Sequence, residues 1–317
     1  MLFALTGCGK ETKSNTENKA SKMCDRAGLK VGDYVSYEYD ETGDYILKAD
    51  VSGWAQDQTI KQTDLLWKIL YIDEETGRVD LISNTSKDEK IYFADAKGYN
   101  NGVYLINDIC KKLYSNKELG ITARSIKIED IEKHFNEYGK EEKLTSGSVK
   151  YGEIKNYKED NNYYPNLYAK ENGSGIDNTE IKKDGIGISD INDLMTDTYS
   201  QANSNGLTVT HSSYRMDNPS SSFGNSEVYS MLFKEGSYWV ASRNAICGEE
   251  WATFGIMRVQ QYAQRDVYLG NQVLFYSNLK ISGTYGESGL RPIVSIDGDT
   301  EIIINDGTVS DMHSIKK

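Results

Sequence analysis

The chain has 317 residues, of which 38% are hydrophobic, so it can bury a substantial core in one large domain or two ordinary ones. Its 48 acidic residues outnumber its 36 basic residues, and the resulting formal net charge of −12 disfavours binding to nucleic acid or to anionic lipid surfaces. The 23 tyrosines and only three prolines favour a strand-rich protein with an aromatic surface, because tyrosine suits half-buried strand positions.

The first residues are typical of a lipid anchor. Residues 1–8 end in Leu-Thr-Gly-Cys, which looks like a bacterial lipobox, and the thiol of Cys8 would receive the lipid. The apolar stretch before Cys8 is short and has no basic leader, so we expect the true start to lie upstream. Residues 9–27 are interpreted as a flexible tether. We therefore expect display on the extracellular face of the bacterial cell membrane, through the lipid anchor only.

The next segments have the patterns of strands. Val35 and Tyr37 alternate with polar residues, as in a strand with one buried face. Residues 65–72 (LLWKILYI) and 79–83 (VDLIS) flank a turn in which Gly77 can adopt a left-handed conformation. This arrangement predicts a β-hairpin.

A first helix is predicted at residues 103–115 (VYLINDICKKLYS), after an Asn-Asn-Gly turn at residues 100–102. Its apolar residues recur at helical spacing, at Ile106, Ile109, Cys110 and Leu113. Because Cys110 falls on the apolar side, we expect its thiol to be buried and unreactive. The remaining cysteines, Cys24 and Cys247, show no paired spacing, so we predict no disulfide framework.

A second helix is predicted over residues 126–135, with Ser125 as its N-cap and one apolar face formed by Ile128, Ile131 and Phe135. Residues 136–205 are rich in Gly, Asn, Lys, Asp and Tyr, and we interpret them as a long, partly ordered insertion with a structured piece near residues 188–195.

The C-terminal part contains a series of strands or segments that approach the core: SEVYSMLF, SYWVASR, WATFGIMRV, QVLFYS and GLRPIVSI. Residues 300–305 (TEIIIN) are expected to form a terminal strand, and residues 306–317 a tail. The order of strands, two helices, an insertion and then more strands favours a single α+β domain at residues 28–305 over a parallel βαβ array.

Residues 124–132 (RSIKIEDIE) resemble the R-L-P-T-E-A-E-W-E segment of formylglycine-generating-enzyme-like domains, a branch of the C-type-lectin-like fold. The preceding helix and the closing GLRPIVSI, which is similar to a terminal strand of that family, occur in the matching order. Together with GYNNGVYLINDIC and YWVASR, these segments also resemble surface proteins of gut Firmicutes. The resemblance covers about residues 28–306 and implies an α+β, C-type-lectin-like (formylglycine-generating-enzyme-like) fold with a long irregular insertion.

In such domains the ligand face is built largely from the interval before the closing strand, which here corresponds to residues 244–289. In some members, including targets of diversity-generating retroelements, this interval is diversified while the framework strands stay fixed. The resemblance therefore implies that YWVASR and GLRPIVSI are framework and that the ligand binds between them.

The resemblance does not carry over the family's catalytic activity. The oxidase that gives the family its name needs two closely spaced cysteines for copper, and residues 244–289 contain only Cys247. His134, His211 and His313 have no Cys or Asp partner at motif spacing, so we expect them to be solvated or locally hydrogen-bonded. We predict a non-catalytic protein. An enzyme with an unrecognised site and a structural cell-envelope or prophage component remain as alternatives.

The interval is rich in aromatic, amide and charged side chains, which suit recognition because rings provide contact area and amides provide directional hydrogen bonds. We expect a protein or glycan ligand, without a cofactor. The candidate ligand-binding residues are Asn244, Glu249, Glu250, Gln260, Gln261, Tyr262, Gln264, Arg265, Tyr268, Asn271, Tyr276, Asn278 and Tyr285.

Other prominent residues are assigned structural roles. We expect core positions for the aromatic residues Tyr238, Trp239, Trp251 and Phe254. Arg243 and Arg291 end apolar segments, where each can pair with a carboxylate or with backbone carbonyls. The Glu-Pro-Asn and Gln-Pro-Asp tripeptides of calcium-binding lectins do not occur, so we predict no metal site.

Overall fold

A computed structural model describes residues 24–86, 89–145, 154–155, 163–164, 182–183, 202–203, 206–208, 214–216, 219–233, 236–247, 252–262, 266–276 and 284–316. The described part contains the helices α1 (Ala49–Ser52), α2 (Asp95–Tyr114), α3 (Ile128–Glu132), α4 (Glu137–Thr145), α5 (Pro219–Ser222) and α6 (Ser226–Phe233).

The strands of the first half are β1 (Tyr34–Ser36), β2 (Tyr45–Leu47), β3 (Gln58–Ile60), β4 (Trp67–Ile72), β5 (Val79–Ser83), β6 (Ile91–Ala94), β7 (Arg124–Ser125), β8 (Ile154–Lys155) and β9 (Tyr163–Tyr164). Those of the second half are β10 (Lys182–Lys183), β11 (Ala202–Asn203), β12 (Gly206–Thr208), β13 (Tyr214–Met216), β14 (Tyr238–Cys247), β15 (Ala252–Tyr262), β16 (Asp266–Tyr276), β17 (Tyr285–Ser288), β18 (Pro292–Ile296), β19 (Ile302–Ile303) and β20 (His313–Ile315).

The largest sheet has seven strands in the order β19-β20-β1-β4-β5-β18-β7. The predicted hairpin is confirmed: β4 and β5 are antiparallel, and Gly77 has the left-handed φ of 68° that the connecting turn requires. Neighbouring residues of the central strands face two different cores. Leu81 and Val294 pack with α2, whereas Ile82 and Ile293 pack with α3 and α6.

A second sheet of four strands has the order β13-β16-β15-β14. It confirms the strand predictions for YWVASR, WATFGIMRV and QVLFYS. The segment SEVYSMLF is different, because it forms helix α6. Asn225 begins this helix by accepting the Glu227 N–H through Oδ1 at 2.8 Å, and Val228, Met231 and Leu232 are buried at helical spacing.

Helix α2 is longer than the sequence predicted. It starts at Asp95 and includes the Asn-Asn-Gly segment that we expected to form a turn. Tertiary contacts explain this difference. Asn101 donates its side-chain amide to the Val51 carbonyl at 3.0 Å, and a Cβ at Gly102 would lie 2.1 Å from Ile256 Cδ1. Gly102 therefore lies where the helix packs closely on Ile256, and it does not form a turn. The expectation for Cys110 is confirmed, since it is fully buried and burial raises the pKa of its thiol.

The second helix is shorter than the predicted range of residues 126–135, since α3 covers only Ile128–Glu132. Ser125 belongs to strand β7, and α3 begins at Ile128 after the N-cap Lys127, whose backbone N–H donates to Asp130 at 2.8 Å. Ser125 cannot cap this helix, because it lies in the strand that pairs with β18. Ile128, Ile131 and Phe135 are buried as expected, but only the first two lie on α3, because the helix ends at Glu132 and Phe135 follows it.

The chain end does not form the tail predicted for residues 306–317. Strand β20 pairs in parallel with β1, and His313 is buried against Asp33, with 3.2 Å between Nε2 and the carboxylate. The tether is also shorter than predicted, because Cys24 is buried and Arg26 donates to the carbonyls of Gly77 and Asp297. Helix α4 occupies the start of the predicted insertion, and residues 188–195 lie outside the described residues.

Candidate functional site

The two-stranded ribbon of β6 and β17 carries an unusual surface. The antiparallel register places Tyr92 opposite Glu287 and Ala94 opposite Tyr285. Because side chains alternate along a strand, Tyr92, Tyr285 and Glu287 share the outer face, whereas Phe93 and Ser288 are fully buried on the inner face. The ribbon therefore has one face in the core and one face that presents aromatic and acidic groups.

A tryptophan from a distant segment completes the outer face. Trp54 stacks on Tyr92 with ring centroids 4.7 Å apart and an interplanar angle of 19°, and it contacts Tyr285 at 5.0 Å and 49°. The two tyrosine rings are 6.5 Å apart. We call Trp54, Tyr92 and Tyr285 the aromatic platform. Trp54 and Tyr92 are partly exposed, and Tyr285 is 57% exposed.

Gly53 allows Trp54 to reach this position. It ends the short helix α1 with a left-handed φ of 73°, and a Cβ at this residue would lie only 2.0 Å from the Ala94 carbonyl oxygen. A residue with a side chain would therefore push the segment that carries Trp54 away from the ribbon.

Glutamine side chains support the ribbon on both of its edges. Gln58 makes two hydrogen bonds to the backbone of Tyr92, donating to the carbonyl at 2.9 Å and accepting the N–H at 2.8 Å. On the other edge, Gln272 donates to the Tyr285 carbonyl at 3.0 Å. Each glutamine side chain hydrogen-bonds to backbone groups that would otherwise pair with a neighbouring strand. The backbone that carries the two tyrosines is therefore held in place before a ligand binds.

Glu287 gives the platform a negative charge. Its carboxylate lies beside the phenol of Tyr92 and raises the pKa of that group, with a smaller contribution from burial. The main cause is a hydrogen bond in which the phenol of Tyr92 is the donor and the carboxylate of Glu287 is the acceptor. The exposed carboxylate is an acceptor for hydroxyl or amine groups of a ligand.

The framework segment YWVASR supports the inner face of the ribbon. Trp239 is fully buried, donates from Nε1 to the Ile91 carbonyl at 2.8 Å and contacts the ring of Phe93 edge-on at 5.6 Å. A Cβ at Gly286 would lie 2.7 Å from Trp239 Cη2 and 2.3 Å from Gln272 Cγ. The glycine therefore lets the ribbon lie directly on the indole.

The expected core roles of Tyr238, Trp239 and Phe254 are confirmed, since all three are fully buried. Both framework arginines are buried as well. Arg291 donates to the Ser83 carbonyl at 3.0 Å and to the Asn84 carbonyl at 3.1 Å, which confirms its structural role. Arg243 lies over the ring of Tyr99, with its guanidinium carbon 5.4 Å from the centroid.

Of the ligand-binding residues predicted from the sequence, Tyr285 lies in the aromatic platform. The backbones of Asn244, Gln261, Tyr262, Tyr268 and Asn271 lie in β14, β15 and β16, but their side chains fall outside the described part. Gln260 and Tyr276 are partly exposed on β15 and β16, and Gln260 lies opposite Tyr268. Cys8, Glu249, Glu250, Trp251, Gln264, Arg265 and Asn278 lie outside the described residues.

Trp54, Tyr92 and Glu287 were not predicted as site residues from the sequence. The alternation of IYFA and YGES indicates two strands with one exposed face each, but it does not show that they pair with one another. Nothing in the local pattern connects Trp54 to either strand. These residues are far apart in the sequence, so only the fold brings them together.

The described residues contain no group of three or more His, Cys, Asp or Glu side chains that could hold a metal ion. His134, on the turn after α3, has a pKa lowered to about 4, mainly by burial and secondarily by the charge of Lys133. It is therefore neutral at neutral pH. No family model, curated protein or solved structure matches the chain.

Proposed function

We propose that this protein is a non-catalytic, surface-displayed lipoprotein that binds carbohydrate on the aromatic platform. The observation that carries the proposal is a set of three contacting aromatic rings that remain open to solvent, with Tyr285 57% exposed. Exposed apolar clusters on soluble domains are typical of binding sites, because the free protein gains nothing by leaving them in water.

The chemistry of the platform suits a sugar ring. One face of a pyranose presents C–H groups, which are weakly positive and pack against the negative face of an aromatic ring. The hydroxyl groups at the rim of the same sugar can donate to the carboxylate of Glu287 in charge-assisted hydrogen bonds. The two tyrosine rings and the carboxylate lie on one face of one ribbon, and Trp54 packs against the same two rings, so a single sugar can use both kinds of group.

The arrangement of the rings argues against an aromatic cage for a quaternary ammonium ion. Such a cage needs rings that stand apart and surround the cation. Trp54 and Tyr92 are stacked with their centroids 4.7 Å apart, so nothing fits between them. The three rings form a surface for a flat ligand instead.

The cellular location belongs to the same proposal. A lipid on Cys8, followed by the tether, would hold the domain at the extracellular face of the membrane, where glycans are accessible. No helix in the described part of the chain has the length and apolarity needed to cross a bilayer. The C-type-lectin-like fold is likewise proposed on the order of the sequence motifs alone.

The test is a glycan array of neutral and acidic oligosaccharides probed with the full chain, followed by calorimetric titration of the strongest binder. We expect Trp54→Ala and Tyr285→Ala to weaken its binding by at least about tenfold, because each removes a ring that contacts the ligand. Tyr138→Ala is the matched control, since Tyr138 is 55% exposed but lies on α4, outside the platform.

Binding to no glycan would refute the proposal. Equal affinities of Tyr285→Ala and Tyr138→Ala for the titrated glycan would refute it as well, because the platform would then be irrelevant to binding. The melting temperatures of all variants should be recorded, so that a loss of binding is not confused with unfolding.

A further inference from the structure

A groove runs beside the C-terminal half of α2. One part is a cleft of about 300 Å³ lined by Tyr104, Asn107, Lys111, Arg124 and Lys127, among others. An adjoining cleft of about 430 Å³ shares Asp108, Lys111 and Thr122 with the first, and its lining also includes Asp40, Lys112 and Lys117. We call the two clefts together the basic groove.

The charges of the groove are unusual for a chain with a net charge of −12. Lys111, Lys112, Lys117 and Lys127 line it, and none of them forms an ion pair with another residue in the described part of the structure. The guanidinium of Arg124, by contrast, is held by both oxygens of the Asp130 carboxylate.

The two carboxylates of the groove are already hydrogen-bonded. Asp108 accepts the hydroxyl of Tyr45 at 2.7 Å, and Asp40 accepts the backbone N–H of Lys117 at 3.3 Å. Both carboxylates keep their negative charge, but the four lysines outnumber them, so the groove has an excess of positive charge to offer a ligand. The partial negative charge at the C-terminal end of α2 stabilises Lys111 and Lys112 in its last turn. It does not account for Lys117 and Lys127, which lie outside that helix.

Asn107 adds an oriented donor to the groove. Its side-chain oxygen accepts the Ser125 N–H at 3.0 Å, which fixes the amide plane and leaves the NH₂ group for a ligand. An amide donor among lysine ammonium groups is suited to the oxygens of a carboxylate or sulfate.

The basic groove and the aromatic platform are connected through the ribbon of β2 and β3. The ribbon of β2 and β3 lies between them, because Tyr45 of this ribbon contacts Asp108 in the groove and Gln58 contacts Tyr92 in the platform. Helix α2 begins directly after the platform strand β6, and its Asp95 and Asp108 are separated by roughly 20 Å along the helix axis. An extended oligosaccharide can span this distance.

We propose that the basic groove is a second subsite, which binds the acidic group of a glycan whose neutral portion lies on the aromatic platform. The ligand class is thus a carbohydrate that carries carboxylate or sulfate groups. This inference rests on the proposed function, since it assumes that the platform binds sugar. The lysines attract the acidic group, and the platform provides the contact with the sugar ring.

The test compares acidic oligosaccharides with their neutral counterparts, using the full chain and calorimetric titration. The probes are the strongest sulfated or uronate-containing binder from the array and the same oligosaccharide after desulfation or carboxyl reduction. We expect the acidic form to bind at least about tenfold more tightly at low salt, and its advantage to shrink as salt is added. Lys111→Glu should remove that advantage and leave binding of the neutral form unchanged.

Lys30→Glu is the matched control, because it changes the net charge equally at an exposed residue that does not line the groove. Equal affinities for the acidic and neutral forms would overturn the inference but leave the proposed function intact. Equal losses in Lys111→Glu and Lys30→Glu would also overturn it, because the effect would then come from overall charge. Binding to no glycan at all would overturn both proposals.

Discussion

Trp239 and Trp54 contact opposite faces of the same two-stranded ribbon. Trp239 is fully buried beneath the inner face and is fixed by its hydrogen bond to Ile91. Trp54 packs on the outer face against two tyrosines and stays partly exposed. One indole contributes to the stability of the fold, and the other leaves aromatic area for a ligand. The ribbon thus connects the framework to the candidate site.

Substituting each tryptophan by alanine tests this comparison most strongly. Trp239→Ala should lower the free energy of unfolding by about 3–5 kcal/mol, because it leaves a large cavity and an unpaired carbonyl. Trp54→Ala should cost about 1 kcal/mol, the contribution of aromatic contacts at a partly exposed site. Urea denaturation of both variants measures the difference. Equal losses of stability would show that the two faces of the ribbon do not differ in this way.

The contact between ribbon and framework can be disturbed with a single methyl group. Gly286→Ala would place a Cβ 2.7 Å from Trp239 and 2.3 Å from Gln272, so the ribbon must shift. We expect a loss of about 1–3 kcal/mol in unfolding free energy, together with weaker glycan binding. Gly224→Ala is the control, since its Cβ would meet no atom within 4 Å and it should change neither property. An unaltered Gly286→Ala protein would contradict the close contact.

Unfolding measured at a series of pH values distinguishes the framework, which contains His134, from the aromatic platform. The expected change in stability is smaller than for the substitutions above. The pKa of His134 is lowered to about 4 in the folded protein, from an ordinary value of 6.5. Between pH 4 and pH 6.5, His134 is therefore protonated in the unfolded chain but not in the folded protein. The free energy of unfolding consequently falls as the pH drops from 6.5 towards 4. One histidine differs by at most one bound proton between the folded and unfolded states, so its share cannot exceed about 1.4 kcal/mol per pH unit.

The variant His134→Gln should show a shallower loss of stability over the same pH range, as measured by urea denaturation at each pH. The glycan affinity of the folded protein should be the same for the wild type and His134→Gln at each pH. The reason is that His134 packs against Tyr71 on the framework and not against the platform. Identical slopes for the wild type and His134→Gln would show that the histidine does not titrate as described.

Several local features followed from the sequence because neighbouring residues decide them. The hairpin of β4 and β5 needs only alternating apolar residues and a glycine that tolerates a left-handed turn. The apolar face of α3 and the buried Cys110 of α2 follow from helical spacing. In each case the pattern that carries the prediction lies within a short segment, although the residues that bury α3 and Cys110 come from distant segments.

The errors occurred where distant contacts override local preference. Asn100, Asn101 and Gly102 favour a turn by themselves, but burial against Val51 and Ile256 makes them part of α2. The final residues are polar enough to suggest a tail, yet His313 is buried and β20 pairs with β1 across almost the whole length of the chain.

The sequence by itself determined the periodic elements, the acidic charge and the framework segments, because these depend on residue type and short-range spacing. Only the tertiary structure decided that Trp54, Tyr92 and Tyr285 form one surface, and that lysines from α2 and the segments after it line one groove. The physical reason is that strand pairing and helix packing set these distances, and neither is encoded in the local pattern of the segments involved.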